Sequence, residues 1–540
     1  MRFLPANLDA LLVELEDLSQ TIALMASLKA HPIRGIKELV PAARTMLIRY
    51  EPSLLTSVAI IEDLSRRHLV AEAAQDAPLV EIDVDYHGED LPEVAELLGL
   101  TTKEVIERHC EAEYTVAFNG FAPGFSYLSA RAALQVPRRR SPRVRVPAGS
   151  VALAGEFSAV YPKDSPGGWQ LIGTTTATMW DMARDVPALL QPGDRVRFVD
   201  EARRRSFGAR PSAAPRAGKA RADISDAKAP GHTSATLELN RIGVQALFQD
   251  GGRPGLAAQG VSASGALDKA ALRLANRLVG NDVNSPVIEI VGGGFEFTSL
   301  GASVVAITGA DGTVTLTSEA GRERCVGRSQ AIALDSGDRV RLGEPAAGVR
   351  SYLAARGGFV AGPVLGSVST DTLAGIGADA LAAGQRVGIA SVRQGVVGAP
   401  ESAPVRLPDA SQVVVLDVVM GPRTDWFTSE SVELLGQQNW VVTPQSSRVG
   451  LRLLGATPLV RTHEMELPSE GTLPGSIQIP PNGQPVLFLA DHPLTGGYPV
   501  IAAVAPHHLD LAGQIPIGTA VRFRPIRPFT VVETSSPVAP

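Results

Sequence analysis

The sequence predicts a mainly β protein with α+β parts, in which β-barrel-like modules recur along the chain. The 53 glycines and 40 prolines among 540 residues predict many turns and short strands. A glycine turn followed by a strand occurs three times, at residues 193–198, 337–342 and 518–523. In each copy two apolar residues face one way along the strand and an arginine faces the other. Turn-and-strand patterns also recur by chance, but the shared arginine and spacing favour duplicated modules that end near residues 200, 345 and 525.

Composition excludes several classes of protein. A net charge of −6 over this length gives no support for binding to nucleic acid or to a membrane surface. Two cysteines, Cys110 and Cys325, are too few for a disulfide framework or a zinc site built on cysteine. The chain has no apolar run of about 18 residues, and it reaches Asp9 too early for the apolar core of a signal peptide. We therefore expect a cytoplasmic protein.

The length predicts three to five domains, at about 150 residues for each. Alternating and helical patterns at the start of the chain indicate a small α+β domain, and a helix is predicted over residues 90–109. A stretch rich in Ala, Pro, Gly and Lys without apolar periodicity indicates a linker. The predicted units are an N-terminal α+β domain (1–86), a β-barrel (87–200), a flexible linker (201–235), two β-barrel-like modules (236–395 and 396–530) and a tail (531–540).

The sequence lacks the short motifs of several catalytic classes. It contains no Gly-x-x-x-x-Gly-Lys-[Ser/Thr] loop, no Gly-x-Ser-x-Gly nucleophile turn and no His-Glu-x-x-His motif. The adjacent His507 and His508 have no third ligand at a suitable spacing, so we expect a solvated turn there and no metal site. Cys110 ends a predicted helix, where the helix dipole raises the pKa of a thiol. Covalent and metal catalysis are therefore not supported.

Three clusters of glycine, arginine and polar residues remain as candidate sites. The first combines residues 118–127 with nearby arginines and with residues 146–173. Guanidinium groups can bind carboxylate or phosphate in a bidentate manner, and a Pro-Gly-Gly turn can present N–H groups to an oxyanion. The competing interpretation is that the arginines at 138–140 form a solvated loop and that the glycines only make turns. The candidate ligand-binding residues of this cluster are Asn119, Phe125, Arg143, Ser150, Ser165, Gly167 and Gly168.

The other two clusters lie in the second half of the chain. A carboxylate in a glycine-rich loop, such as Asp250, is a stronger site candidate than Asp268, which is placed to cap a helix. We expect the polar tips of two similar turns, residues 165–168 and 491–498, to border ligand clefts, and a single cleft shared between the halves is one option. The predicted catalytic residues are Asp491, Glu470, Arg448 and Asp250. The predicted ligand-binding residues are Arg253, Ser264, Arg452, Gln478, Thr495, Gly496, Gly497 and Tyr498.

Long motifs give each half a family resemblance. Residues 1–200 resemble the KipI-like family (the B subunit of 5-oxoprolinase, or allophanate hydrolase subunit 1) through the motifs at 119–128, 146–155 and 161–169. Residues 236–530 resemble the KipA-like family (the C subunit of 5-oxoprolinase, or allophanate hydrolase subunit 2) through the motifs at 249–255, 446–453, 470–480 and 495–499. The chain looks like a natural fusion of the two proteins, and the same pair forms the carboxyltransferase region of urea carboxylase.

The resemblance implies cyclophilin-like β-barrel modules, in agreement with the repeat. It also implies an ATP-dependent 5-oxoprolinase, in which the fused B and C parts act with a separate A subunit of the LamB/YcsF type. That enzyme uses Mg-bound ATP to open 5-oxoproline to glutamate. Arginines and backbone donors would stabilise the transferring phosphoryl group. A homo-oligomer is left open.

Two alternatives follow from the same resemblance. In urea carboxylase the scaffold moves CO₂ from carboxybiotin, held on a separate carrier, to a nitrogen of urea or another amide, which requires a base for the substrate N–H. KipI-like proteins also bind and inhibit a histidine kinase, which makes a regulatory binding module the second alternative. Val500 stands where the family usually carries a basic residue after Gly-Gly-Tyr-Pro. This departure bears on the substrate more than on the fold.

Overall fold

The computed structural model describes residues 1–69, 77–139, 141, 143–206, 233–392, 395–401, 407–463, 465 and 467–534. Residues 207–232 of the predicted linker lie outside the described residues, and so do residues 535–540 of the predicted tail. Among the described residues, no helix has both the length and the apolar character that a membrane crossing needs.

The described chain contains strands, α-helices and short 3₁₀ helices. The strands of the first half are β1 (Arg2–Asn7), β2 (Ala10–Glu14), β3 (Ile36–Pro41), β4 (Thr45–Tyr50), β5 (Leu79–Val84), β6 (Tyr114–Asn119), β7 (Ser126–Ser129), β8 (Arg143–Val146), β9 (Ser150–Ala154), β10 (Phe157–Val160), β11 (Ser165–Gly167), β12 (Gln170–Thr174) and β13 (Arg195–Asp200). Those that follow are β14 (Thr233–Arg241), β15 (Gln245–Gln249), β16 (Val287–Val291), β17 (Glu296–Ser299), β18 (Ser303–Thr317), β19 (Glu323–Val326), β20 (Ala331–Leu334), β21 (Arg339–Ala355) and β22 (Arg386–Ala390). The last are β23 (Val414–Met420), β24 (Trp440–Val442), β25 (Gly450–Leu454), β26 (Glu470–Gly471), β27 (Ser476–Gln478), β28 (Val486–Phe488), β29 (Thr495–Gly496), β30 (Val500–Val504), β31 (Ala520–Arg527) and β32 (Val532–Glu533). The α-helices are α1 (Leu18–Ala30), α2 (Ser57–Ser65), α3 (Leu91–Leu98), α4 (Thr102–Glu111), α5 (Glu201–Ser206), α6 (Lys269–Val279), α7 (Ser429–Gln437) and α8 (Leu509–Ala512).

The N-terminal sheet has the order β3-β4-β2-β1-β32, so the two ends of the described chain meet in it. Strand β2 is apolar on both faces. Leu11 and Val13 of β2 pack with helices α1 and α2, whereas Leu12 faces the other way, towards Leu473 and Leu494 of the second half. A strand buried on both sides needs an almost continuous apolar run, and Ala10–Glu14 supplies one.

The second sheet, a barrel-like sheet that we call the first-half barrel, has the order β12-β9-β10-β7-β6-β13-β5. Strand β5 lies before the predicted boundary at residue 86, yet it pairs in parallel with β13, with Ile82 opposite Phe198. The single helix predicted over residues 90–109 is wrong, because two helices, α3 and α4, cover this stretch. Gly99 ends α3 in the left-handed conformation, with φ of 65°. Thr101 and Glu104 then form a capping box that starts α4.

The remaining strands form a nine-stranded sheet and a closed barrel. The sheet is built around the long strands β18 and β21, and the barrel has the order β23-β30-β27-β28-β25-β24-β31. Parallel pairing of β31 with β23, with Val521 opposite Val414, closes the barrel. The predicted fold class is therefore confirmed: the protein is mainly β, with barrel modules and a small N-terminal α+β part.

The three sequence repeats become strands β13, β21 and β31. Each begins after a glycine with positive φ: 97° at Gly193, 89° at Gly337 and 83° at Gly518. The recurring glycine thus serves a turn that other residues rarely adopt. The first and third copies both pair in parallel with the strand that opens their module, β5 and β23. The second copy has only antiparallel neighbours among the described strands.

One buried histidine makes the first half sensitive to acid. Tyr86 Oη lies 2.7 Å from Nδ1 of His109, and Ser158 Oγ lies 2.9 Å from its Nε2. A neutral imidazole has one donor and one acceptor nitrogen, so both contacts are satisfied without a charge. Burial lowers the pKa of His109 from 6.5 to about 3. As the pH falls through this window, the unfolded chain takes up a proton at this position and the folded chain does not.

We therefore expect His109 to reduce the free energy of unfolding by at most about 1.4 kcal/mol for each pH unit between 6.5 and about 3. His109→Gln, which stays neutral, should show a shallower dependence on pH in this window. Urea unfolding at a series of pH values measures the slope, and His31→Gln at an exposed position is the matched control. Equal slopes for the wild-type and His109→Gln proteins would contradict the assignment.

Candidate active site between the two halves

The turn between β6 and β7 contacts the second half of the chain. Phe121 in this turn has a positive φ of 59°, which is rare for an aromatic residue. Its backbone N–H donates to Oγ1 of Thr495 at 2.9 Å. A Cβ at the preceding Gly120 would lie 2.5 Å from the same oxygen, so the approach requires glycine. Strained backbone of this kind persists where the surroundings hold it, often at functional sites.

Next to this turn lies a group of polar side chains that we call the Asp371 cluster; its members are Lys163, Ser262, Ser264, Asp371 and Asp491. Asp371 accepts hydrogen bonds from Ser262 Oγ at 2.6 Å and from the backbone N–H of Leu373 at 3.0 Å. Lys163 extends from the first half and donates to the carbonyl oxygen of Leu373. A cavity of about 10 Å³ beside Phe121 and Asp371 has room for about one water molecule.

Asp491 is fully buried, and its carboxylate is saturated with donors. Arg448 donates to its two oxygens at 2.9 and 3.0 Å, Ser264 Oγ donates at 2.7 Å, and the N–H and hydroxyl of Thr372 donate at 2.8 Å each. Arg448 also pairs with the buried Glu289. Asp491 therefore fixes the loops that carry Ser264 and Thr372, and it has little remaining capacity to bind a substrate.

The two carboxyl groups of the cluster have pKa values shifted in opposite directions. Burial, and then the charge of Asp491, raise the pKa of Asp371. Burial also acts to raise the pKa of Asp491, but Arg448 and the hydrogen bonds hold that pKa below its ordinary value. Burial lowers the pKa of Lys163, against the attraction of Asp371. Asp371 is thus a stronger base than a solvated aspartate and Lys163 a stronger acid than a solvated lysine, a combination suited to proton transfer.

Glu470, a predicted catalytic residue, lies outside this cluster. Arg423 Nε is 3.0 Å from each of its carboxylate oxygens, and Arg423 Nη2 also donates to Glu14 of β2 at 2.8 Å. Burial raises the pKa of Glu470, and Arg423 opposes the effect. Glu470 therefore takes part in a buried ion-pair network that joins the N-terminal sheet to the C-terminal barrel.

Asp250 and Arg253 organise a loop beside the cluster. Asp250 accepts from the hydroxyls of Ser367 and Ser369 at 2.6 Å each, so it holds that loop and does not face the cavity. Arg253 donates to the carbonyl oxygens of Ser369 and Val364. Its Nη1 is buried without a hydrogen-bond partner in the described part of the chain. Arg253 is thus a better ligand-binding candidate than Asp250.

A larger cavity, which we call the junction cleft, has a volume of about 460 Å³. Its lining comes from the N-terminal sheet, the first-half barrel and the second half, and includes Arg44, Arg138, Glu156, Trp169 and Ser469. Neither predicted turn tip, 165–168 or 491–498, is part of the lining, but each has a neighbour in it. Trp169 directly follows Gly168, and a Cβ at Gly497 would collide with the guanidinium of Arg138.

A chain of polar contacts connects the junction cleft with the turn at Phe121, which lies next to the Asp371 cluster. Arg138 Nη2 donates to Ser469 Oγ at 3.2 Å, and Ser469 Oγ donates to Tyr127 Oη at 3.3 Å. Tyr127 Oη lies 3.4 Å from Thr495 Oγ1, which accepts from the N–H of Phe121. Thr495 therefore connects the two regions and does not itself face open space.

Several other predicted residues of the first half serve packing. Phe125 lies in an aromatic group with Tyr127 and Trp169. Arg143 is paired with Asp90 at 2.8 and 2.9 Å, so its guanidinium is already occupied. Three further residues are buried and hydrogen-bonded to neighbouring backbone or side-chain groups: Asn119, Ser150 and Ser165. Gly167 packs against Tyr161.

In the second half, Gln478 donates to the carbonyl oxygen of Tyr498 at 3.0 Å, and a Cβ at Gly496 would crowd Gln478. The Tyr498 ring lies 5.7 Å below the guanidinium of Arg461. Arg452 is exposed on β25 and is not part of the cluster or of the cleft lining. Apart from Arg452, these residues support the turn around Gly497.

One group of side chains has the spacing of a metal site. Its members are Asp417, His507 and His508, and their potential ligand atoms lie within 4.8 Å of one another. Hydrogen bonds already occupy atoms of Asp417 and His508. Arg524 Nε donates to Asp417 at 2.6 Å, and His508 Nδ1 accepts the backbone N–H of Asp417 at 2.9 Å. The neighbouring guanidinium and the occupied nitrogen make the group a poor cation site.

The site residues predicted from the sequence do not include four residues of these two regions. They are Asp371 and Lys163 of the cluster and the cleft arginines Arg44 and Arg138. Lys163 stands inside the motif at 161–169, and Asp371 stands in the polar run Ser-Thr-Asp-Thr at 369–372. These two signals were available in the sequence. Their significance depends on the contact between Lys163 and Leu373, which are 210 positions apart, and local patterns do not reveal such a contact.

Arg448→Met should destabilise the protein by about 3–5 kcal/mol, because it leaves Asp491 and Glu289 buried without their counter-ion. Arg452→Met is the matched control. Arg452 is exposed on the same stretch of chain, and its loss should change the free energy of unfolding by less than about 0.5 kcal/mol. Urea unfolding measures both. Equal effects of the two substitutions would argue against the buried network.

Comparison with known proteins agrees with this architecture. Residues 1–190 match the family model described as carboxyltransferase domain, subdomain C and D, and residues 259–525 match carboxyltransferase domain, subdomain A and B. The chain is 37% identical over 290 residues to the C subunit of 5-oxoprolinase from Escherichia coli K12, a match that covers 53% of this chain and 90% of that protein. It is 45% identical over 174 residues to the B subunit of 5-oxoprolinase from E. coli O157:H7, a match that covers 31% of this chain and 79% of that protein. The crystal structure of TTHA0988 is 33% identical and has a TM-score of 0.78 over 95% of this chain and 99% of that one. The chain therefore belongs to the carboxyltransferase domain family, and it joins in one polypeptide the two parts that the B and C subunits of 5-oxoprolinase represent.

Proposed function

We propose that this chain is the fused B and C subunits of an ATP-dependent 5-oxoprolinase. With a separate A subunit of the LamB/YcsF type, it opens 5-oxoproline to glutamate. The observation that carries the proposal is the position of Lys163. This lysine belongs to the first half, which is similar to the B subunit, and it reaches Leu373 and Asp371 of the second half, which is similar to the C subunit. A site completed by both halves is expected of two proteins that work as a pair. Similarity to the B and C subunits of 5-oxoprolinase supports this interpretation.

The Asp371 cluster offers the proton transfers that lactam hydrolysis requires. The reaction breaks the ring C–N bond and forms a C–O bond to water, so water loses a proton and the ring nitrogen gains one. In our proposal the turn at Phe121 moves aside to admit the lactam, because the cavity beside Asp371 has a volume of about 10 Å³ and otherwise holds about one water molecule. The Asp371 carboxylate then accepts the proton of water, and the Lys163 ammonium donates a proton to the departing nitrogen. A proton then passes from Asp371 to Lys163 and restores both groups. Asp491 stays ionised beside Arg448 and holds the loops in place.

Amide resonance makes the lactam carbonyl a poor electrophile. When bound, Mg-ATP would supply a phosphoryl group to the carbonyl oxygen, which makes the carbon a better electrophile, and a second water would release that group as inorganic phosphate after the ring nitrogen has left. The residues of the chain fit such a polyanion, because Arg44 and Arg138 line the junction cleft of about 460 Å³. Arg253 offers a further buried N–H near Asp371, suited to the carboxylate of the substrate.

Carboxyl transfer from carboxybiotin to a nitrogen of urea or another amide is the second candidate. The match to the carboxyltransferase domain models favours it. Asp371 would then remove the proton from the substrate N–H. Under this alternative, the purified chain would decarboxylate carboxybiotin, whereas a 5-oxoprolinase would leave it intact.

Together with its cognate A subunit, the chain should release glutamate from 5-oxoproline in a reaction that consumes ATP. A coupled glutamate dehydrogenase assay measures the product. Mixtures that lack either ATP or the A subunit are the controls and should give no glutamate. Failure of the complete mixture to turn over, or decarboxylation of carboxybiotin by the chain, would refute the proposal.

Asp371→Asn and Lys163→Met should each lower kcat by about 10²–10⁴-fold, because each removes one proton-transfer group. Wild-type activity should rise as Asp371 ionises, above the ordinary range of an aspartate, and fall as Lys163 loses its proton, below the ordinary pKa of 10.5. Small alkylamines should partly restore Lys163→Ala, an effect that a purely structural lysine would not show. Lys103→Met, at an exposed position of α4, should retain wild-type kcat.

A further inference from the structure

We propose that the junction cleft binds adenosine triphosphate as its Mg²⁺ complex, with Arg44 and Arg138 on the phosphates. This assignment rests on the proposed oxoprolinase function and adds a position for its nucleotide on this chain. Neither arginine belongs to the proton-transfer cluster. The size, the charge and the aromatic wall of the cleft support the assignment.

The cleft has the size and composite origin of a ligand site. Its volume of about 460 Å³ falls within the range of roughly 300–1,000 Å³ that small-molecule sites occupy. Arg44 comes from the N-terminal sheet, residues 135–138 and 154–157 come from the first-half barrel, and residues 467–469 come from the second half. A ligand bound here would contact all three parts.

The charges of the lining suit a magnesium-bound polyphosphate. Arg138 gives one N–H to Ser469 at 3.2 Å, and a guanidinium has five N–H groups in all. Arg44 is exposed at the edge of the same cavity. Glu156 is the carboxylate of the lining, and it would repel a free anion. Mg²⁺ is commonly held by one or two carboxylates together with substrate phosphates, so Glu156 and the arginines suit the complex better than either ion alone.

The back of the cleft is aromatic. Trp169 and Phe157 line it, and the rings of Phe125 and Tyr127 pack edge-on against Trp169 at centroid distances of 5.4 and 5.5 Å. This packing holds the indole in one orientation. Trp169 and Phe157 are 6% and 8% exposed, so they offer a purine base the edges of their rings. The cleft thus combines a surface for adenine with cations for phosphate.

Gly497 provides a way to displace Arg138 without removing it. A Cβ at Gly497 would overlap the end of the Arg138 side chain, which is flexible and can move away. Gly497→Ala should therefore disturb the phosphate contact from the opposite half of the protein. Its effect on thermal stability should be small for the same reason.

The test is direct binding to the full-length chain, with neither 5-oxoproline nor the A subunit present. Isothermal titration with Mg-ATP gives the affinity. The chain has four tryptophans, so contact with Trp169 is reported by the part of the fluorescence quenching that is lost in Trp169→Phe. We expect Arg138→Met, Arg44→Met and Gly497→Ala each to weaken Mg-ATP binding about tenfold to a hundredfold, the usual loss for a hydrogen bond to a charged group. Glu156→Gln should reduce the dependence of binding on Mg²⁺. Arg131→Met, an exposed arginine of the same barrel, should bind as the wild type does.

The outcomes separate this proposal from the proposed function. Absence of Mg-ATP binding, or equal affinity in the Arg44, Arg138 and Arg131 variants, would overturn the nucleotide site. Two further results would also overturn the nucleotide site. One is that tripolyphosphate binds as tightly as Mg-ATP without quenching Trp169, and the other is that biotin displaces the nucleotide. Thermal melting identifies a variant that fails to fold, and the exposed Arg44 provides a second variant for that case. Glutamate release without nucleotide binding would overturn this site alone, and nucleotide binding without glutamate release would overturn the function alone.

Discussion

Charged groups buried between distant parts of the chain determine how this protein is assembled. An ion removed from water is tolerated only beside a partner in good geometry. Glu14 of the N-terminal sheet meets Arg423 and Glu470 of the C-terminal barrel. Arg448 of the same barrel meets Glu289 of the nine-stranded sheet. Each pairing is satisfied only where its two elements come together in this way, so the buried ion pairs favour the docked arrangement of the sheets over arrangements that would leave a charge buried and unpaired.

The N-terminal sheet is part of the contact between the two halves of the chain. Its helices cover one face, and its other face packs on the second half through Leu12 and Leu473. The turn at Phe121 and the loop at Lys163 belong to the neighbouring first-half barrel, and both contact the second half. A polypeptide that contains both halves makes their docking intramolecular, which raises the effective concentration of each for the other. A fusion therefore favours a site that neither half can complete alone.

Sequence patterns predict the fold of this chain better than its site. The glycine turns at Gly193 and Gly518 predict equivalent strands, since a left-handed turn before a half-buried strand leaves a local pattern. The pairing of β5 with β13 is not visible in this way, because it joins segments more than 100 residues apart. The split between α3 and α4 could have been predicted, since Gly99 and the capping box at Thr101 are local features. Local chemistry thus predicts turns, caps and strands, whereas partners across the chain need the structure.

The same distinction explains which aspartate is suited to catalysis. Asp491 stands in a glycine-rich motif that marks it as a candidate, but Arg448 and the hydroxyl and backbone groups around it leave the carboxylate ionised and fully bonded. Asp371 stands outside such a motif and has no arginine bonded to it among the described residues. Burial therefore raises its pKa, and the fixed negative charge of Asp491 adds to the effect. The negative charge of Asp491 thus makes Asp371 a stronger base. Arg448 keeps Asp491 ionised, so the same arginine that makes Asp491 a poor base also maintains the charge that acts on Asp371.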